Sequence, residues 1–212
     1  MSTRRGLFVT LDGMGGAGKS STTSELHRQL TGRGYDVYAT TEPSSGQLGR
    51  IARDASDLYR GLSLACLVAA DRYHHLATEI QPQLEAGRIV LCDRYVVSSY
   101  VLQRLDGVPL GFIEALNAAA EVPDLAVVLT TEPEVAADRI ARRGAHSRFE
   151  TGLAASRDEA ELYVDAIDRL TQHGYPMVSV DTTHTPIAQV SAHLAARIAQ
   201  LATIPRAQLP SA

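Results

Sequence analysis

The most informative local pattern of the chain is Gly13-Met14-Gly15-Gly16-Ala17-Gly18-Lys19-Ser20. It matches the pattern G-x-x-x-x-G-K-[ST], which forms a phosphate-binding loop, or P-loop, between a strand and a helix. An apolar run, Gly6 to Leu11, precedes it, and helical spacing of Leu26 and Leu30 follows it. The glycines let successive backbone N–H groups point at phosphate oxygens, and the helix N-terminus adds positive potential. The stretch therefore predicts a site for a nucleotide phosphate.

Short apolar runs alternate with longer helical patterns along the rest of the chain. The predicted strands are 6–11, 35–41, 88–92, 125–129 and 177–181. The predicted helices are 19–32, 46–57, 60–87, 96–105, 110–121, 133–143, 156–173 and 186–201. Strands separated by helices imply a parallel sheet, and uniformly apolar strands imply that both sheet faces are covered. We therefore predict an α/β protein with a P-loop NTPase fold, its five-stranded parallel sheet flanked by helices.

The length of 212 residues suits one domain, since domains average ~100–200 residues. We assign residues 1–203 to a single P-loop domain. An arginine-rich lid is predicted at about 142–153, where the chain becomes polar and contains glycine. Residues 204–212 contain two prolines and are predicted to be a flexible C-terminal tail.

Composition excludes several classes of protein. The chain has 20 Lys and Arg against 24 Asp and Glu, and a net charge of −4 argues against an electrostatic nucleic-acid binder. Apolar runs such as 62–70 are too short to cross a membrane, and the N-terminus lacks the apolar stretch of a secretory signal. Cys66 and Cys92 lie in apolar runs, so we predict buried thiols in a reducing compartment. A cytoplasmic protein is expected.

Polar residues near the P-loop narrow the chemistry. Lys19 is expected to reach the β- and γ-phosphates, and Ser20 to hold Mg²⁺. Because Lys19 is the only lysine in the chain, the N-K-x-D motif of GTPases is excluded. Glu42 follows the second predicted strand, and Asp93-Arg94 follow the third. Ligands of open parallel sheets bind at the carboxyl ends of the strands, so these side chains are expected beside the P-loop.

Six stretches between Leu7 and Asp181 resemble the thymidylate kinase family: LDGMGGAGKSS, TEPSSGQLGRIAR, AADRYHH, VLCDRYVVSSYVLQ, PDLAVVL and RIARRGAHSRFE. The D-R-Y-x-x-S-S segment is the most specific of them after the P-loop. The resemblance implies a P-loop kinase domain and ATP-dependent phosphorylation of a nucleoside monophosphate, in the first place dTMP to dTDP. It also implies Mg²⁺ as cofactor, ATP as phosphoryl donor and a homodimer.

The resemblance implies roles for individual residues. Arg53 and Arg94 would clamp the acceptor phosphate through guanidinium–phosphate contacts, Arg72 would reach a base carbonyl, and Gln103 would read the base edge. Residues assigned to catalysis are Lys19, Asp93, Arg94 and the lid arginines Arg142, Arg143 and Arg148, and those assigned to the metal are Ser20 and Asp93. ATP binding is assigned to Gly13, Gly15, Gly16, Ala17, Gly18, Lys19, Ser20 and Ser21. Acceptor binding is assigned to Asp12, Glu42, Arg53, Val68, Arg72, Arg94, Ser98, Ser99 and Gln103.

The chain departs from the family pattern around the sugar and the base. Gly15 stands where the family usually has Asp or Glu, and Val68 stands where many members have a phenylalanine that stacks on thymine. Thr41 replaces a common arginine, Leu102 replaces a tyrosine, and Tyr163 is out of register with a later tyrosine of the family. The donor half and the phosphate clamp are thus predicted to be intact, with an altered acceptor pocket.

Three alternatives to a dTMP kinase follow from these departures. They are a kinase of another or modified pyrimidine nucleotide, a nucleotide-binding regulator without turnover, and a kinase of a non-nucleotide metabolite. Each site residue also has a plainer interpretation. In these interpretations, Arg72 would be a surface ion-pair partner and Asp93-Arg94 a strand-end ion pair. Glu42-Pro43 would be an ordinary turn, and the lid arginines would form a solvated helix face. His74 and His75 are expected to be structural or exposed.

Overall fold

The computed structural model describes residues 5–54 and 58–203, and within them a parallel sheet of five strands in the order β2-β3-β1-β4-β5. This confirms the predicted α/β class and sheet. The strands are β1 (Phe8–Gly13), β2 (Val37–Thr41), β3 (Ile89–Asp93), β4 (Leu125–Thr130) and β5 (Met177–Asp181). Strand β1 lies at the centre of the sheet, so the loop that leaves it is flanked by the ends of β3 and β4.

Helices connect the strands and flank the sheet. They are α1 (Lys19–Gly32), α2 (Gln47–Asp54), α3 (Gly61–His75), α4 (Gln81–Glu85), α5 (Val96–Leu105), α6 (Leu110–Asn117), α7 (Pro133–Arg143), α8 (Leu153–Gln172) and α9 (Ile187–Thr203). Helix α1 packs on α9, α2 and α6 pack on α3, and α8 packs on both α5 and α7. Helix α8 therefore connects α7, which leads into the predicted lid, to α5, which follows β3.

The core lies around the three central strands. All residues of β1 are buried, and β3 and β4 are buried except at their final residues. The outer strands β2 and β5 alternate between half-buried and exposed residues. Uniform burial on both faces thus holds for the central strands only, because an edge strand lacks a neighbour on one side.

Strand register brings the predicted site residues to one edge of the sheet. Asp93 at the end of β3 pairs with Leu11 of β1 and with Thr41 of β2. Glu42 directly follows β2, Arg94 directly follows β3, and the P-loop follows β1. The carboxyl ends of three adjacent strands therefore meet, as expected for a ligand site in a parallel sheet.

The predicted helix 60–87 is divided. A π-helical turn, Leu76–Ile80, separates α3 from α4, and it precedes Pro82. Proline has no N–H with which to continue the α-helical hydrogen bonds, and this favours a local change of helix geometry. The predicted helix 110–121 likewise ends early, at Asn117.

The two cysteines differ in burial. Cys92 is fully buried in β3, as predicted, but Cys66 is exposed on α3, so that prediction is wrong. The apolar run around Cys66 packs only one side of α3, because α3 lies at the periphery, whereas β3 is covered on both faces. Residues 55–57 of the predicted helix 46–57 and the predicted tail 204–212 lie outside the described residues. Within the described ranges, no helix is long and apolar enough to cross a membrane.

Candidate active site

The P-loop is tightly packed against the neighbouring strand and helix. Gly13 has φ +140°, and a Cβ there would lie 2.2 Å from the Leu129 carbonyl oxygen. Gly16 has φ +76°, and a Cβ there would lie 2.7 Å from the Ala136 carbonyl oxygen. Side chains are therefore excluded at both positions by backbone atoms that do not move aside. Glycine is therefore required at these two positions because there is no space for a side chain.

Lys19 is buried inside this loop. Its Nζ donates hydrogen bonds to the carbonyl oxygens of Gly13 (2.7 Å) and Met14 (2.8 Å). Burial, followed by the positive charge of Arg94, lowers the pKa of Lys19 to about 7, although Glu159 opposes the shift. Two carbonyls thus hold the amino group in the loop, and a bound phosphate would add to the anions, Glu159, Asp93 and Asp12, that favour its charged form.

One cavity of about 490 Å³ opens at this edge of the sheet. The predicted residues that line it are Gly16, Gly18, Lys19, Ser20, Ser21, Glu42, Arg53, Val68, Arg72, Asp93, Arg94, Ser98, Ser99, Gln103 and Arg143. Six predicted residues are not among its lining residues: Asp12, Gly13, Gly15, Ala17, Arg142 and Arg148. The fold thus joins P-loop residues and the predicted acceptor residues in one space.

Ser20 and Asp93 form a pair of oxygen donors beside the P-loop. Ser20 Oγ donates a hydrogen bond of 2.5 Å to Asp93 Oδ2. In the described part of the chain, Asp93 Oδ1 is buried and has no hydrogen-bond partner. Hydroxyl and carboxylate oxygens are the ligands that Mg²⁺ uses together with water and phosphate. These residues fit a magnesium site.

Arg72 lies at the floor of the cavity, with only 2% of its surface exposed. Its Nε donates to Glu42 Oε2 (2.8 Å) and its Nη2 to Ser99 Oγ (2.9 Å). Its Nη1 donates to Asn117 Oδ1, and its guanidinium stands 5.1 Å from the centre of the Tyr95 ring. The interpretation of Arg72 as a surface ion-pair partner is wrong, because α3 directs it into the protein.

Gln103 lies beside Arg72 on helix α5. Its Nε2 donates to Ser99 Oγ at 3.3 Å. Its Oε1 is buried and lacks a hydrogen-bond partner in the described residues. Leu64, Val68 and Leu102 line the same cavity. An unsatisfied buried acceptor is costly, so this arrangement is suited to a ligand that supplies an N–H group.

Arg53 and Arg94 face the cavity from different sides. Arg94 has φ +70°, its backbone N–H donates to the Leu11 carbonyl (2.9 Å), and its Nη1 lies 3.4 Å from Ser98 Oγ. Arg53 comes from the end of α2 and donates to the backbone carbonyl of Pro43. A residue other than glycine with positive φ is uncommon, and such strain is typical of functional sites.

Asp12 has a different position from the one expected. Its Oδ1 accepts hydrogen bonds from the backbone N–H groups of Tyr95 and Ser98, both at 2.9 Å. It therefore caps the start of α5, and burial raises the pKa of its carboxyl group. The structure does not bring this side chain into the cavity. It fixes the turn that carries Arg94 instead.

The three lid arginines differ in their surroundings. Arg143 lines the cavity and donates from Nη2 to both carboxylate oxygens of Glu150 (2.7 and 2.8 Å). Arg142 is 78% exposed and pairs with Asp138 one helical turn earlier on α7. Arg148 Nη1 donates to Asp106 Oδ1 at 2.8 Å. Only Arg143 faces the space beside the P-loop, so the three are not equivalent.

Sequence reasoning missed Glu159, which is 4% exposed on α8. Its Oε2 accepts the backbone N–H of Gly15 at 3.0 Å, across 144 residues of chain. Burial raises the pKa of Glu159, and Lys19 and Arg94 partly offset this effect. The helical spacing of α8 could have identified it, because Glu159 lies four residues before Tyr163 and both are on the buried face of that helix. Tyr163, which is out of register in the sequence, places its OH 3.4 Å from Ser98 Oγ.

His75 is structural, as expected. His75 is buried and contacts Glu42 (3.4 Å) and Thr40 (2.8 Å), whereas His74 is exposed. Among the described residues, ligand atoms of Glu42, His75 and Cys92 lie within 4.8 Å of one another. Burial raises the pKa of the Cys92 thiol well above its usual range, and Glu42 is paired with Arg72. Glu42 and His75 thus belong to the buried hydrogen-bond network around Arg72.

A second cavity of about 430 Å³ lies on the other side of the P-loop. Gly16, Gly18, Ser21 and Arg143 line both cavities. Its remaining lining residues include Ala17 and Arg139, and side chains from the start of α9. Arg139 donates to the carbonyl oxygens of Gly16 (3.2 Å) and Thr182 (2.9 Å), which fixes the wall between α7 and the end of β5. Two ligand-sized spaces therefore meet at the P-loop.

Comparisons with known proteins agree with this geometry. The family model described as thymidylate kinase matches residues 11–192. A probable thymidylate kinase of Pyrobaculum aerophilum is 35% identical over 196 residues, which cover 90% of this chain and 97% of that protein. A probable thymidylate kinase of Pyrococcus abyssi is 32% identical over 199 residues, covering 89% and 97% respectively. A thymidylate kinase of Caldicellulosiruptor saccharolyticus is 36% identical over 155 residues, covering 69% and 75%.

Proposed function

The chain belongs to the thymidylate kinase family, and from that premise we propose that it transfers the γ-phosphoryl group of ATP to dTMP, yielding dTDP and ADP. One observation carries this proposal: a single cavity is lined both by the P-loop residues Lys19 and Ser20 and by the buried pair Arg72 and Gln103. The first pair suits a nucleoside triphosphate and the second a nucleobase. A donor and an acceptor nucleotide can thus be bound side by side.

The donor is bound at the P-loop. Backbone N–H groups from Gly16 to Ser20 and the ammonium group of Lys19 receive the phosphates of ATP, and the N-terminus of α1 adds to their positive potential. Ser20 and Asp93 would hold Mg²⁺, as their hydrogen bond and the unpartnered Asp93 Oδ1 support. When bound, Mg²⁺ neutralises charge on the β- and γ-phosphates. The second cavity accommodates the nucleoside part of ATP.

The acceptor base is selected by hydrogen-bond polarity. Gln103 Oε1 is an acceptor without a partner, which suits the N3–H of thymine. Arg72 is only a donor, which suits a thymine carbonyl and opposes the exocyclic amino group of cytosine. Glu42, Ser99 and Asn117 fix its guanidinium in place. Val68 offers an apolar surface in place of an aromatic ring.

Transfer of the phosphoryl group proceeds directly, with no covalent enzyme intermediate. Arg53 and Arg94 hold the acceptor phosphate, since both guanidinium groups face the cavity. Arg143 lines both cavities, so we assign it as the lid cation that meets the charge on the transferring group. Positioning and charge neutralisation supply most of the rate enhancement in such reactions. Arg142, which is exposed and paired with Asp138, has no part in this scheme.

A homodimer is proposed from the apolar surface. Of the eight exposed large apolar side chains in the described residues, three lie on α8 and α9, and the other five lie on α2, on α6 or near the start of α3: Ile51, Leu58, Tyr59, Leu62 and Phe112. Helix α3 packs against both α2 and α6, so these side chains belong to neighbouring elements. Exposed apolar patches mark interaction surfaces. Light scattering of the Leu62→Asp variant tests the homodimer, and a monomer is expected.

A cytoplasmic location fits the free thiols of Cys66 and Cys92.

The experiment that tests the function is a coupled ADP-release assay with Mg·ATP. The acceptors are dTMP, dUMP, UMP, CMP, dCMP, AMP and GMP, each over a range of concentrations. We expect the highest kcat/KM for dTMP, with dUMP next and cytosine nucleotides far below. Lys19→Met serves as the inactive control. Equal rates with dCMP and dTMP would overturn the assignment of Arg72 and Gln103, and no stimulation by any nucleotide would overturn the function.

A further inference from the structure

One carboxylate ties the lid to two helices of the acceptor pocket. Asp106 Oδ1 accepts a hydrogen bond of 2.8 Å from Arg148, which lies between α7 and α8. Asp106 Oδ2 accepts the backbone N–H of Gly61 at 2.5 Å. Asp106 follows α5 directly, and Gly61 begins α3. The side chain of Asp106 therefore joins three parts of the chain that come together only in the fold.

This ion pair is sheltered from solvent. The Arg148 and Asp106 side chains are 18% and 9% exposed, and the Arg148 guanidinium stands 4.3 Å from the centre of the Phe149 ring. Arg60 is the other cation near Asp106. Burial alone would raise the pKa of Asp106, but hydrogen bonds from Arg148 and Gly61 lower it. The carboxylate is thus ionised at neutral pH, and a charge-assisted hydrogen bond of this kind is strong.

The pair lies at the base end of the large cavity. Gln103 is one turn before Asp106 along α5, and Leu64 is one turn after Gly61 on α3. Gln103, Leu64, Asp106 and the lid residue Phe149 all line this cavity. The proposed phosphate-binding residues Lys19 and Arg94 lie elsewhere, at the start of α1 and directly after β3. Arg148 is therefore paired with a carboxylate at the base end of the pocket.

We propose that Asp106 is a positioning residue for the acceptor nucleotide: by binding Arg148 it keeps the lid closed over the base end of the pocket, so that the acceptor does not leave before transfer. This proposal rests on the proposed function, because it concerns the same pocket. Lid closure excludes water and commits the substrate in many phosphotransfer enzymes. Here one identified contact would set how long the acceptor stays bound.

Asp106→Asn is the decisive variant. Asparagine keeps an oxygen acceptor for the Gly61 N–H and loses the charge that attracts Arg148. We expect the dissociation rate of dTMP, measured by stopped-flow chase, and the KM for dTMP to rise about tenfold, equivalent to about 1.4 kcal/mol. The KM for ATP and kcat stay within about twofold of wild type, because Asp106 does not contact the P-loop.

Asp165→Asn is the matched control. Asp165 also pairs with an arginine of the α5 region, Arg104, at 2.5 Å, but it is not among the residues lining the cavity. We expect wild-type release of dTMP. Asp106→Asn combined with Arg148→Gln should speed dTMP release no more than either substitution alone, because both remove the same contact. Such non-additivity supports the lid contact.

Unchanged dTMP release in Asp106→Asn, or a fall in kcat with no change in KM for dTMP, overturns the proposal. Additive acceleration of dTMP release by Asp106→Asn and Arg148→Gln also overturns it, because the two substitutions would then act on different contacts. Wild-type turnover of dTMP tests the proposed function by itself, whereas only the ratio of variant to wild type tests Asp106. The two failures are therefore distinguishable. Thermal melting of each variant identifies a loss of fold, and Arg148→Gln then tests the same contact from the lid side.

Discussion

Replacing Glu42 with glutamine removes the negative charge from the buried pair that orients Arg72. The two side chains are 3% and 2% exposed, and the distance between Arg72 Nε and Glu42 Oε2 is 2.8 Å. Removing one partner of a buried ion pair costs about 3–5 kcal/mol, because the other charge is left uncompensated. Glutamine retains an oxygen that accepts the Nε–H, so we expect the lower value, about 3 kcal/mol. At about 2–4 °C per kcal/mol for a chain of this size, the Tm falls by about 6–12 °C.

The assay is thermal melting of Glu42→Gln beside Glu25→Gln. Glu25 forms a similar ion pair with Arg28 at 2.5 Å, but Arg28 is 72% exposed, and solvent screens such pairs. We expect the Tm of Glu25→Gln to match wild type. The KM for dTMP should also rise in Glu42→Gln alone, since Arg72 loses its orientation, while the KM for ATP stays constant. Equal effects of the two substitutions on Tm would refute the reasoning, because burial would then make no difference.

Four further outcomes are expected. Lys19→Met lowers kcat in the ADP-release assay by about 10³-fold or more, on the scale of a lost phosphate-stabilising cation; a smaller loss would contradict the role of Lys19. Arg143→Met lowers kcat by on the order of 10²-fold or more, whereas the kcat of Arg142→Met stays within twofold of wild type. Similar losses in both variants would show that a position in the cavity wall does not decide which arginine acts in transfer. Gly15→Asp lowers dTMP turnover, because a Cβ at Gly15 lies 2.9 Å from Glu150 Oε1 and the new carboxylate would face that of Glu150; higher turnover would refute this. Glu159→Gln raises the Tm at pH 8, with Glu161→Gln as an exposed control on the same helix. The folded-state pKa of Glu159 is raised above 4.5, so the folded chain binds more protons and stability falls as pH rises through that pKa. The gain should therefore vanish below pH 4.5, and a gain that is constant with pH would contradict the cause.

Local signals predicted the framework of the fold. The P-loop pattern is a steric requirement of a few consecutive residues, and its apolar strand and following helix are visible in the same window. Helices α1, α5 and α7 begin and end where the spacing of side chains predicted. Glu42, Asp93 and Arg94 could be assigned to one edge because parallel strands align their carboxyl ends. These inferences depend on local periodicity and on one general rule of sheet topology.

Side-chain surroundings at the site depended on contacts between distant segments. Nothing near Cys66 distinguishes it from Cys92, yet α3 is peripheral and β3 central, so one thiol is exposed and the other buried. Asp12 was expected to face the acceptor and instead caps α5, because β1 lies next to β3 in the sheet. Arg142, Arg143 and Arg148 are similar in sequence and differ in partners. Their surroundings differ because part of the segment between α7 and α8 packs against the cavity.

Short-range spacing was thus enough to predict the P-loop and the five-stranded parallel α/β fold, whereas the acceptor-phosphate residues Arg53 and Arg94 came from the resemblance to a family. Contacts within the folded chain alone reveal that Glu159 holds Gly15 across 144 residues, that Asn117 orients Arg72, and that Arg148 binds Asp106. The physical reason is that a hydrogen bond or an ion pair depends on distances of a few ångströms. Such distances between remote residues are set by how helices pack on the sheet.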